Sequence, residues 1–88
     1  IIAFEDANPA APTHLLVIPR EHIVNLKDAG DDHAELLGRL NLVAEQVADQ
    51  AGLQAFRLVQ NNGAGAGQSV FHIHYHVLGG RDLSWPPG

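Results

Sequence analysis

The sequence contains no cysteine, which excludes disulfides and thiolate metal sites and fits a reducing compartment. It also contains no methionine and opens on Ile1-Ile2-Ala3-Phe4, so a segment of the protein is expected to precede residue 1. Basic residues are few. Five Lys and Arg stand against ten Asp and Glu, giving a net charge of -5 with histidines neutral. That balance argues against a nucleic-acid-binding surface, which needs clustered cations. It leaves room for a single nucleotide, because backbone N–H groups can hold one phosphate. No apolar run approaches a membrane span, and no basic-then-apolar leader is present. A soluble, cytoplasmic protein is expected, with no membrane partner. Eighty-eight residues make one small domain, residues 1–88, whose core is marginal alone. Pairing with a second copy would be one remedy.

Histidine is what the chain does have. Three of its six histidines, His72, His74 and His76, occupy every second position of one stretch. Phe71, Ile73, Tyr75 and Val77 lie between and around them and favour extended backbone. Residues two apart on a strand share a face, so the imidazoles should form a ladder over residues 70–78 with the apolar set buried behind. Three imidazoles in a row fill a core poorly, and ordinary strand filler is the weaker reading.

The remaining chain supplies a frame. Residues 1–4 read as a strand end before the turn at Asp6-Ala7-Asn8-Pro9. Asp6 then either holds that turn or meets a ligand, and sequence alone favours the turn. Residues 13–18 read as a second strand, stopped by Pro19, with His14 the one polar residue in the row His14, Leu16, Ile18. His22 and His33 read as surface residues. Residues 32–51 read as the main helix, with Asp32 as N-cap and Glu35 at the capping-box position. Leu36, Leu37, Leu40, Val43, Ala44, Val47 and Ala51 follow its period, and Gly52 suits its C-terminal end. Residues 55–60 read as a third strand. A glycine-rich loop, Asn61 to Ser69, then runs into the histidine ladder and should set Asn61 and Ser69 beside it. Taken alone such a loop is weak evidence, and it lacks the lysine of a P-loop.

Two chemistries fit the ladder. Zinc accepts three neutral imidazoles, but same-face neighbours on one strand stand about 7 Å apart, too far to converge. Metal binding therefore ranks second, and no cofactor is expected. Nucleophilic catalysis at phosphorus fits better. One ring nitrogen attacks while the other donates to a fixed acceptor that sets the tautomer. A second histidine serves phosphate oxygen or leaving group, and nearby N–H and hydroxyl donors stabilise the transferring charge.

The run Gln68-Ser69-Val70-Phe71-His72-Ile73-His74-Tyr75-His76-Val77-Leu78 resembles the histidine triad (HIT) family motif. The early segment Asp6 to Ile18 is similar to that family's as well. Gly79-Gly80-Arg81 and Trp85-Pro86-Pro87-Gly88 resemble its nucleotide-binding (HINT) branch. The resemblance implies an α+β fold, with about five antiparallel strands, one main helix on a face, and a homodimer. It implies a purine nucleoside phosphoramidase acting on nucleoside monophosphate derivatives. His74 would be the nucleophile, His72 would fix its ring through a backbone carbonyl, and His76 would hold a phosphate oxygen. Ser69 would contact the phosphate or leaving group, and His14 would relay behind the triad. Asp6 would bind the ribose hydroxyls, with Phe4 and Ala7 lining the nucleoside pocket. Asn61, Gly67 and Gln68 would serve the phosphate end, and Trp85 would reach the leaving group across the dimer. The resemblance leaves two alternatives open: a nucleotide-binding scaffold with little activity, and a dinucleotide polyphosphate hydrolase. The family's usual N-terminal segment, which lines part of the base pocket, is not among residues 1–88. Ala66 and Ala7 also depart from its common residues.

Overall fold

The computed structural model describes residues 1–88. Four antiparallel strands form one sheet: β1 (Ile2–Glu5), β2 (Thr13–Ile18), β3 (Phe56–Val59) and β4 (Tyr75–Gly79), in the spatial order β1-β2-β4-β3. A single long helix, α1 (Ala34–Gln50), connects β2 to β3. The fold is α+β, as expected, but the sheet has four strands rather than five.

Alternation along the strands divides the sheet into two faces. Val17 and Val77 point to one face and are fully buried there with Ile73, just before β4. Leu40, Ala44 and Ala48 of α1 close over them. Burying each large aliphatic side chain contributes about 1.5–3 kcal/mol, so this face holds the domain together. The other face carries His14, Leu16 and Ile18 of β2, which the helix does not cover. Leu16 lies opposite both Phe4 of β1 and His76 of β4. One sheet thus separates a packed side from a working side.

The helix is shorter than its pattern at both ends. Residues Asp31–His33 form a 3-10 turn, and His33, not Asp32, occupies the N-cap position of α1. His33 is held there from two directions. The Gly30 N–H donates to its Nδ1 (3.1 Å), and its Nε2 bonds Glu21 Oε2 (2.7 Å). His33 is therefore not simply solvated. At the other end Gly52 takes φ +79°, which glycine adopts without a steric penalty. Its N–H donates to Asp49 O and that of Leu53 to Ala48 O, so two orphan carbonyls are satisfied. The last buried turn uses Ala48, while Ala51 is exposed.

Candidate active site

The histidine ladder is only partly a strand. β4 begins at Tyr75, so His76 lies in the sheet, while His72 precedes it in a bend and His74 in irregular backbone. Alternation nevertheless survives: Ile73, Tyr75 and Val77 are buried and the three histidines are half-exposed. Residues 70–74 lie outside the sheet, and the Ile73 N–H donates instead to Ile23 O of the connector after β2 (2.6 Å).

Hydrogen bonds fix each ring of the site. His74 Nδ1–H donates to its neighbour's carbonyl, His72 O, at 2.8 Å. The neutral ring must then leave its Nε2 lone pair free. The Ala10 N–H donates to His14 Nδ1 (3.0 Å), which places the His14 proton on Nε2. His14 Nε2 lies 2.8 Å from His76 Nδ1 and donates to it. His76 in turn carries its proton on Nε2. Burial first, then the neighbouring His74 and His14 rings, lower the His76 pKa below the ordinary histidine value, while the Asp6 carboxylate opposes them. His76 is thus kept neutral beside His74, their ring centroids 4.9 Å apart.

These groups open on a cleft of about 790 Å³. Phe4, Leu16 and Ile18 give it an apolar wall, and Asp6, Ala7 and Asn8 form the turn along it. Ser69, Val70 and the three triad histidines line the remaining side. Glu5 and Asp6 are its charged residues, and it has no Lys or Arg. Asp6 serves both of its readings. One carboxylate oxygen accepts the Asn8 N–H (2.8 Å) and so holds the turn, while the other lies 3.4 Å from His14 Nε2.

Some expected site residues stand elsewhere. Gln68 is 3% exposed and does not reach the cleft. Its Oε1 accepts from Asn25 Nδ2 (3.0 Å) and the Gly63 N–H (2.8 Å), and its Nε2 donates to Val24 O (2.7 Å) and Val70 O (3.1 Å). With every polar atom engaged internally, this side chain braces the loop. The Gly67 N–H donates to Ala64 O (3.0 Å), so that donor is already used within the loop. Neither Gly67 nor Asn61 lines the cleft. Trp85 is 80% exposed and away from the cleft of its own chain. The tail before it is fastened to β3, where Arg57 Nη2 donates to Ser84 O (2.9 Å). His14 lies behind the triad rather than in the cleft, lining a second, smaller cavity with Glu5 and Asp6.

Sequence reasoning missed His22. It is exposed, yet its Nδ1 lies 3.2 Å from His72 Nδ1. The contact spans fifty residues of chain, and no local spacing could announce it. His14 does stand behind the triad, where the resemblance set it, but the carboxylate of Asp6 joins it there, and the potential ligand atoms of Asp6, His14 and His76 lie within 4.8 Å of one another. The carboxylate that the ladder lacks comes from the turn after β1. Even so, His14 Nε2 and His76 Nδ1 are spent on one another, so a cation there would have to displace the shared proton.

The HIT domain family model matches residues 1–83. The chain belongs to the HIT family. An uncharacterized HIT-like protein of the cyanobacterium Synechococcus elongatus is 50% identical over 88 residues, covering 99% of this chain and 77% of that protein. A 14 kDa zinc-binding protein of Zea mays is 50% identical over 91 residues, covering all of this chain and 71% of its own length. Among solved structures, a HIT family hydrolase from Legionella pneumophila superposes with a TM-score of 0.94 at 50% identity, covering 98% of this chain and 79% of that one. A histidine triad nucleotide-binding protein from Candida albicans superposes at 0.75 with 28% identity, covering 96% and 66%. As a HIT protein the chain falls among hydrolases and nucleotide-binding proteins, and its triad faces the cleft on the uncovered side of the sheet.

Proposed function

We propose that this HIT protein is a purine nucleoside phosphoramidase that works through a nucleotidyl-histidine on His74. The observation that carries the reading is the 2.8 Å bond from His74 Nδ1 to His72 O. It orients the ring and leaves the lone pair on Nε2, beside a cleft with an apolar wall for a base and hydroxyl acceptors at its turn. Nε2 attacks phosphorus, a His74–phosphorus bond forms as the P–N bond breaks, and the departing amine takes its proton from solvent water. Water then releases nucleoside monophosphate and frees His74. His76 Nε2–H donates to a phosphoryl oxygen, backed by the bond from His14. The hydroxyl of Ser69 serves the phosphate or leaving group, and Asp6 accepts from the ribose hydroxyls between Phe4 and Ala7. In this reading residues 1–88 form one domain of a cytoplasmic homodimer, and Trp85 approaches the partner's cleft.

Two acidic residues and no basic one in the cleft favour a single phosphoryl group over a polyphosphate chain. Adenosine 5′-phosphoramidate should be hydrolysed by the wild type, and His74→Ala should lose turnover while still binding AMP. An intact rate in that variant would refute the mechanism.

A second reading, zinc binding, is favoured by the Asp6, His14 and His76 group. A zinc ion would displace the proton between His14 Nε2 and His76 Nδ1 and bind both nitrogens with the Asp6 carboxylate. Direct titration with zinc should show one site per chain, lost in His14→Phe, if this reading holds.

A further inference from the structure

We propose that His22 is a positioning residue for the nucleophile. It fixes the His72 ring, and through it the peptide whose carbonyl orients His74. The inference rests on the reading of His74 as nucleophile.

The difficulty it resolves is mechanical. His74 takes its orientation from His72 O, but residue 72 lies outside the sheet, since β4 starts at Tyr75. Strand pairing therefore does not hold that carbonyl in place. What holds residues 72 and 73 is the connector after β2. His72 Nε2–H donates to Pro19 O at 2.8 Å. His72 Nδ1 faces His22 Nδ1 at 3.2 Å, with the ring centroids 5.2 Å apart. The Ile73 N–H donates to Ile23 O.

The connector is itself braced. Pro19 and Ile23 are fully buried. Glu21 is tied to His33 at the start of α1, and Val24 O accepts from the buried Gln68. His22 thus projects from a segment anchored on both sides.

The chemistry assigns its role. A carbonyl only accepts, so Pro19 O requires the His72 proton on Nε2. The neutral His72 ring then presents a lone pair at Nδ1, and His22 meets it by donating from its own Nδ1–H. Without that donor the ring keeps one anchor and gains freedom to turn. The motion passes to the His72 peptide and so to the His74 ring. His22 does not line the cleft, so substrate binding should be spared.

The bond is a single neutral one near the surface. Its loss should lower kcat about three- to tenfold with KM nearly constant. The test is steady-state hydrolysis of adenosine 5′-phosphoramidate by His22→Ala, His22→Asn, His72→Ala and the double variant. The Asn amide can donate from near the Nδ1 position, so His22→Asn should recover most of the loss. In the His72→Ala background, adding His22→Ala should do nothing further, because its target is gone. Nitrogen-15 NMR of the His74 ring gives a readout independent of turnover. The wild type should show one tautomer, protonated at Nδ1, and His22→Ala a mixture. An unchanged kcat in His22→Ala, or equal losses in both backgrounds, would overturn the proposal. If the wild type fails to hydrolyse the substrate, the functional reading falls instead. The NMR comparison then decides alone, and an unchanged His74 signal in His22→Ala overturns the positioning role.

Discussion

Replacing Gln68 by methionine keeps its length and removes its hydrogen bonds. The structure sets the size of the effect. Four bonds end at this one amide, and their partners differ in what they can recover. Asn25 is 7% exposed, so its Nδ2 becomes an orphaned buried donor, which costs about 1–3 kcal/mol. Val24 and Gly63 are half-buried and Val70 is exposed, so water can replace part of what they lose. Those three bonds contribute about 0.5–1 kcal/mol each. The sum is about 2.5–6 kcal/mol, a large share of the roughly 5–13 kcal/mol that a domain of this size has. Thermal unfolding followed by circular dichroism should show the midpoint falling by more than about 10 °C. The loss should fall on the loop as well, so hydrolysis should drop at temperatures where the variant is still folded. A midpoint lowered by less than about 4 °C would refute the assignment of Gln68 as a brace. It would reopen a role for this side chain in the nucleotide site.

Two further outcomes follow from charge. His76 has a folded-state pKa below the ordinary histidine value of 6.5. As pH falls below that value the unfolded chain takes up a proton there that the folded chain refuses, so stability declines across the window between the two pKa values. Urea unfolding at about pH 8 and about pH 5 should show a shallower decline for His76→Gln than for the wild type, and equal slopes would contradict this. The acidic, cation-free cleft should bind AMP more tightly than ADP, and ADP more tightly than ATP. Salt screens charge, so calorimetry at about 0.1 M and 1 M salt should show the ranking compress. Tighter binding of ATP than of AMP would rule out electrostatic selection against polyphosphates.

Local pattern settled much of this protein. The period of Leu36, Leu40, Val43, Ala44 and Val47 specifies a helix with one apolar side, and the run of strand-forming residues at 13–18, stopped by Pro19, specifies a strand of those limits. Alternation around Ile73, Tyr75 and Val77 put three imidazoles on the opposite side from the core, and their spacing marks the HIT motif. These features are legible because each is set by neighbours a few residues apart. Contacts between distant segments were not. Tertiary structure alone brought Asp6 and His14 against His76, turned Gln68 inward, and joined His22 to His72. It also ended β4 at Tyr75, because the backbone before it bonds to the connector after β2 rather than to a strand. A sequence states which groups a chain owns and which side of an element each one takes. Whether two such groups meet depends on how the elements pack. A ring's proton, and so its chemistry, is fixed only when its partner is in place.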